Sequence, residues 1–189
     1  MSNPPHQAGA AISSRRFFIK QVSALCGMAS LSAATSAFAK LNTQRAVSFV
    51  HTHTGEKLTA HYFDGRCYQT DCLRQVDHLL RDFRTGEVHH IDPSLLDILF
   101  DLQVLAGRDA SFEIICGYRS PATNALLRRT SSGVAENSLH LVGQAIDVRL
   151  SGFSTHKLSA LARDLGRGGV GFYGASDFVH IDTGRVRSW

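Results

Sequence analysis

Apolar positions recur along this chain with two different periods, and the switches between them delimit its elements. Ala46–His51 and Lys57–Phe63 read as two strands joined by a turn at Thr54-Gly55-Glu56. Leu73, Val76, Leu79 and Leu80 then return at helical spacing, which predicts an amphipathic helix over Asp71–Arg84. A second helix starts at Asp92-Pro93, an N-cap followed by a proline suited to the first turn, and turns Leu95, Leu96, Ile98, Leu99, Leu102 and Leu105 inward. Ser111–Cys116 is a short apolar strand, and Ser120-Pro121 opens a third helix to about Arg128 by the same cap-then-proline logic. The polar, glycine-containing stretch Thr130–Ser138 is expected to be a surface loop. Ala145–Leu150 (strand), Lys157–Leu165 (helix), Val170–Tyr173 and Phe178–Asp182 (strands) follow. Helices intermixed with non-repeating strands predict an α+β domain with a small, mainly antiparallel sheet flanked by helices.

The first 39 residues do not belong to that pattern. Arg15-Arg16 precede a short apolar run, Val22–Ala34, rich in Ala and Ser, and Ala37-Phe38-Ala39 offers small residues at a cleavage site. Paired arginines before a weakly hydrophobic run resemble a twin-arginine export signal. The run is shorter than the roughly 20 residues that span a bilayer, so no stable membrane span is expected after cleavage near Ala39. Residues 1–39 are therefore read as a signal peptide and 40–189 as one folded domain, placed in the periplasm.

Charge sharpens this division. The whole chain carries +4, but Arg15, Arg16 and Lys20 lie in the leader, which has no acid, so about +1 remains on the domain. A near-neutral domain has no electrostatic footprint for nucleic acid. Three cysteines remain after the leader, Cys67, Cys72 and Cys116, with no Cys-x-x-Cys spacing among them. They are read as small apolar residues.

Two segments concentrate chemistry. Ser138-Leu139-His140-Leu141-Val142-Gly143-Gln144-Ala145-Ile146-Asp147 ends in a carboxylate set between Ile146 and Val148 of a strand. A carboxylate buried without a partner is costly, and coordinating a metal removes that cost. Asp177-Phe178-Val179-His180-Ile181-Asp182 supplies a second histidine from another strand. A catalytic zinc takes three ligands from His, Asp or Glu and keeps one position for water. His140, Asp147 and His180 are the candidate set. The histidine pairs His51/His53 and His89/His90 lack this context.

At these residues the chain resembles the M15 zinc peptidases that share the Hedgehog/D-Ala-D-Ala peptidase fold. Their Ser-x-His-x-x-Gly-x-Ala-x-Asp pattern is met by Ser138, His140, Gly143, Ala145 and Asp147, and the acidic residue three before a histidine by Asp177 and His180. Gly117-Tyr118-Arg119-Ser120 matches a further segment, and the YcbK-like exported murein endopeptidases are the nearest branch. The resemblance implies one Zn2+ on His140, Asp147 and His180, and peptidoglycan peptides as substrate, with cross-links such as those between two diaminopimelate residues as the bond cut. The paired-arginine leader, separately, implies the twin-arginine export machinery as a partner. Asp177 matches the general-base position, and Asp182, on the same strand face as His180, is the competing candidate or a residue orienting that ligand. Arg119 is expected to bind a substrate carboxylate or a developing oxyanion, and Ser138 to contact substrate or to cap local backbone. A D-alanyl-D-alanine carboxypeptidase and a non-catalytic, zinc-containing wall-binding module remain open alternatives.

Overall fold

The computed structural model describes residues 44–107, 109–131 and 133–189; the leader and its cleavage at Ala39 lie outside the described residues. Seven strands form one sheet: β1 (Arg45–His51), β2 (Lys57–Phe63), β3 (Phe112–Cys116), β4 (Ala145–Leu150), β5 (Gly169–Tyr173), β6 (Phe178–Asp182) and β7 (Arg187–Ser188). Their order across the sheet is β2-β1-β3-β4-β6-β5-β7. Among the described residues four helices accompany them: α1 (Thr70–Leu79), α2 (Pro93–Leu105), α3 (Pro121–Thr130) and α4 (Thr155–Leu165). The expected small, mainly antiparallel sheet needs correction. It has seven strands and is mixed, because β1 runs parallel to β3 and β5 parallel to β7. Both parallel neighbours are joined through long excursions, which strand patterns alone do not reveal.

Alternation along β4 explains how core and site coexist. Ile146, Val148 and Leu150 are buried on one face with Leu95, Leu99, Leu102 and Leu158 of the helices in the same apolar cluster. Ala145 and Asp147 point to the other face, as successive side chains in a strand must. The predicted caps hold. Asp92 accepts the Ser94 amide at 2.9 Å, and Ser120 Oγ accepts the Thr123 amide at 3.2 Å. Leu105 differs from expectation: it is 54% exposed, at the last turn of α2.

Helix α1 also departs from the expected Asp71–Arg84 by stopping at Leu79. The chain then turns through Asp82, whose main-chain oxygen accepts from Gly86 and whose amide donates to Glu87. Stopping there leaves the Leu80 carbonyl free to accept the Tyr118 amide at 2.8 Å. It also places the buried Asp82 carboxylate on the Ser120 amide at 2.9 Å and the Ser120 hydroxyl at 2.7 Å. A helix continued to Arg84 would consume the Leu80 carbonyl in its own ladder. The early stop therefore anchors residues 117–120, which bear on the site.

Candidate metal centre

The strand pairing lines up a row of residues across the sheet face opposite α2 and α4. Cys116 on β3 faces Asp147 on β4, Asp147 faces His180 on β6, and His180 faces Gly171 on β5. Directly paired residues share a face, so these side chains stand side by side. His140 reaches the row from a 3-10 turn, Leu139–Val142, that ends in the left-handed Gly143 at φ 67°. A Cβ there would come within 2.0 Å of the His90 carbonyl oxygen, so only glycine fits this turn.

Three donor atoms converge. Asp147 Oδ1 lies 2.9 Å from His180 Nδ1 and 3.3 Å from His140 Nε2, and the two nitrogens are 3.2 Å apart. All three residues are buried. Each histidine is fixed through its other nitrogen. His140 Nδ1 donates to the Gly117 carbonyl at 2.7 Å, while Arg119 N donates back to the His140 carbonyl at 3.1 Å. His180 Nε2 donates to Asp182 Oδ2 at 3.0 Å. Those bonds place the protons on the far nitrogens and turn a lone pair from each ring toward Asp147.

Charges in the row are strongly coupled. Burial opposes a charge on the His140 ring, but the Asp147 carboxylate and Cys116 outweigh it and push the imidazole up to about 10. Burial likewise opposes charge on Asp147, yet His140 and His180 hold it well below the usual carboxylate range. The negative charge of Asp147 and the rings that face it thus favour a cation at this point of the row. Bonds of about 2.0–2.1 Å to a tetrahedral zinc set neighbouring donors roughly 3.3 Å apart. The three observed separations fit that requirement with little movement.

Arg119 is buried; its NH2 group is 4.0 Å from Asp147 Oδ2 and its NH1 group donates to Asn124 Oδ1 at 3.2 Å. Its buried Nε has no hydrogen-bond partner among the described residues. Arg119, Ser138, the three converging residues, Arg187, Tyr173, Phe178 and Trp189 all line one cavity of about 430 Å3.

The two acids proposed as bases are placed otherwise. Asp182 is fully buried, and its carboxylate accepts from His180, both terminal nitrogens of Arg187, and the amides of Gly169 and Gly184. These bonds outweigh the opposing effect of burial and hold it well below its ordinary value. It orients His180 and has no oxygen left for a water. Asp177 is outside the cavity wall among the described residues. Its carboxylate accepts the Thr155 hydroxyl at 2.7 Å and sits 3.6 Å from Arg149. Its backbone is left-handed at φ 51°, a conformation that Asp tolerates better than most residues. Its position three before His180 is that of a turn residue leading into β6.

Three contributors carry no signal in the sequence. Cys116, read as a small apolar residue, has its sulfur within 4.8 Å of the ligand atoms of His140 and Asp147, making a second group able to hold a metal. Its role depends on pairing with β4, which its sequence position does not disclose. Asp82 falls within the helix that the periodicity predicts, and nothing around Trp189 in the sequence marks it. His51, of a pair set aside for lack of context, is buried and its Nδ1 accepts the His53 amide at 3.2 Å.

Comparison with known proteins places the chain in a family. Residues 39–189 match the Peptidase_M15_2 family model, described as "Peptidoglycan L,D-endopeptidase MepK". The chain is 44% identical over 146 residues to a "Probable peptidoglycan L,D-endopeptidase MepK" of Haemophilus influenzae, covering 77% of this chain and 78% of that protein. It is 43% identical over 157 residues to the "Peptidoglycan L,D-endopeptidase MepK" of Escherichia coli, covering 82% and 86% respectively. No solved structure matches the chain.

Proposed function

This chain belongs to the M15 peptidase family, and on that premise we propose that it hydrolyses peptide cross-links of peptidoglycan with one zinc ion on His140, Asp147 and His180. The observation that carries the metal reading is the convergence of three donor atoms at 2.9–3.3 Å, with both histidines anchored behind. Zinc bound by such residues lowers the pKa of a coordinated water toward about 7 and polarises a carbonyl.

The chain's own residues have the following parts. Asp182 holds the His180 proton on Nε2 and so keeps Nδ1 available. The Gly117 carbonyl does the same for His140. Arg119, kept in place by Asn124 and by the Tyr118 and Ser120 anchors on either side, directs a permanent positive charge into the cavity. A preorganised cation beside a scissile carbonyl stabilises the charge that develops on its oxygen. Ser138 lines the same wall and is placed to contact the peptide.

Further parts of the reading rest on the sequence. The twin-arginine leader supports export to the periplasm, where peptidoglycan lies, with cleavage near Ala39. The motif match supports a fold of the Hedgehog/D-Ala-D-Ala peptidase type. The relatives' names favour an L,D bond, such as that joining two diaminopimelate residues, over the terminal D-alanine bond. Incubating the zinc-loaded protein with purified peptidoglycan and separating the muropeptides tests this. Loss of cross-linked dimers is expected. Loss of terminal D-alanine alone would indicate a carboxypeptidase, and bound zinc without any cleavage a binding module. His140→Ala is expected to lose both zinc and activity; retention of both would place the site elsewhere.

A further inference from the structure

Next to the converging donors, the cavity has an aromatic wall that neither metal binding nor the role of Arg119 explains. Trp189 is 51% exposed, yet it is held from several sides. Its amide donates to the Val170 carbonyl at 3.2 Å, and its carbonyl accepts the Phe172 amide at 3.1 Å. The indole Nε1 donates to the Tyr173 hydroxyl at 3.0 Å, and the Arg187 guanidinium lies 4.9 Å from the ring centre. Tyr173 in turn stacks on Phe178 with centroids 4.6 Å apart.

The seat for the indole is built into the sheet. Gly171 faces His180 across β5 and β6, and a Cβ on Gly171 would meet the indole carbons at 2.7 Å. Absence of a side chain there lets the Trp189 ring lie at the edge of the row, its centroid 5.3 Å from that of His180. A large aromatic ring left half in water but immobilised is a preformed contact surface, apolar on its face and polar only at its tip.

Direction follows from the row itself. Arg119 stands at the Cys116 and Asp147 end, within 3.8 Å of Cys116 Sγ, and Trp189 at the His180 and Gly171 end. A peptide whose scissile carbonyl sits over the donors therefore has one flank toward Arg119 and the other against the indole. We propose that Trp189, seated on Gly171 and backed by Tyr173, is a specificity-determining residue that packs on the aliphatic part of the substrate residue flanking the scissile bond opposite Arg119. The inference rests on the reading of the protein as a cross-link peptidase.

Trp189 is the chain's one tryptophan, so its emission reports this contact without background. The experiment mixes zinc-loaded protein with a purified cross-linked muropeptide dimer, follows emission and acrylamide quenching by stopped flow, and measures steady-state cleavage by wild type, Trp189→Phe and Trp189→Leu. The expected result is a saturable emission change with reduced quenching. Trp189→Leu should raise KM by roughly tenfold or more, the scale of an apolar pocket contact. Its kcat should stay within about threefold of wild type, the pattern of lost uniform binding, and Trp189→Phe should recover most of the loss. Unchanged emission and quenching during normal cleavage would overturn the proposal, as would an unchanged KM in Trp189→Leu. So would a collapse of kcat together with loss of zinc, which would make Trp189 a mere support for His180. Saturable emission change without cleavage would uphold the wall and sink only the peptidase reading; neither response nor cleavage would sink both.

Discussion

Replacing Asp182 with asparagine exchanges one oxygen of a fully buried carboxylate for an amide nitrogen. All five of its present partners are donors: His180 Nε2, Arg187 NH1 and NH2, and the amides of Gly169 and Gly184. Whichever way the amide is turned, its NH2 group meets at least one of these donors head on. With NH2 in the Oδ2 position, His180 relieves the clash by moving its proton to Nδ1, where it points at Asp147 and occupies the lone pair meant for the metal. Bonds to charged groups contribute roughly 1.5–3 kcal/mol each, and Arg187, whose side chain is 32% exposed, retains part of its hydration. A loss of about 2–3 kcal/mol in stability follows, or roughly 5–10 °C in Tm for a domain of this size. Groups holding a ligand histidine typically govern metal affinity by about 10–100-fold. Competition with a chromogenic chelator gives the zinc Kd, and melts with and without zinc give the stability and its linkage. If Asp182→Asn melts several degrees lower but binds zinc as tightly as wild type, the tautomer argument fails and Asp182 only stabilises the sheet.

Asp177→Asn should retain activity within about threefold, because asparagine also tolerates the left-handed backbone and can accept from Thr155; a loss of 100-fold or more in muropeptide assays would identify Asp177 as the base. Asp82→Asn should destabilise the protein by roughly 1–3 kcal/mol at pH 7 in urea titrations. Hydrogen bonds from Thr123, Ser120 and Arg84 outweigh burial and hold Asp82 below its unfolded value, so its contribution is present above about pH 4 and lost as pH falls further. The gap between variant and wild type should therefore narrow in acid, and a gap that stays constant from pH 7 to pH 3 would contradict this.

Signals confined to a few neighbouring residues were legible in the sequence. Asp92-Pro93 and Ser120-Pro121 start α2 and α3 because a cap and its proline act within one turn. Strands β2, β4 and β6 have the expected limits, since alternation and flanking glycine or polar residues are local too. His140, Asp147 and His180 were selected by motif, and the fold brings them together. What was missed depends on partners far away in the chain. Whether α1 ends at Leu79 is decided by Tyr118 and Ser120, some forty residues on, which take the Leu80 carbonyl and Asp82 carboxylate. Two-residue β7 is too short to show a period and exists through pairing with Gly169 and Val170. Asp177 sits at the motif spacing, yet a residue immediately outside a strand is aimed by its turn, and this turn sends it to Thr155.

The row from Cys116 through Asp147 and His180 to Gly171 is one pleat of the sheet seen from its wet side, with Ile146, Val148 and Ile181 on the dry side. Core and chemistry are thus two readings of the same strands, offset by a single residue. Deleting one residue inside β4 or β6 would present isoleucine or valine to the cavity and thrust a carboxylate or imidazole into the apolar cluster. Evolution can lengthen the hairpin at Thr54-Gly55-Glu56 without touching the pleat, but it cannot shift β4 against β6 by one place and keep either a folded interior or a working centre.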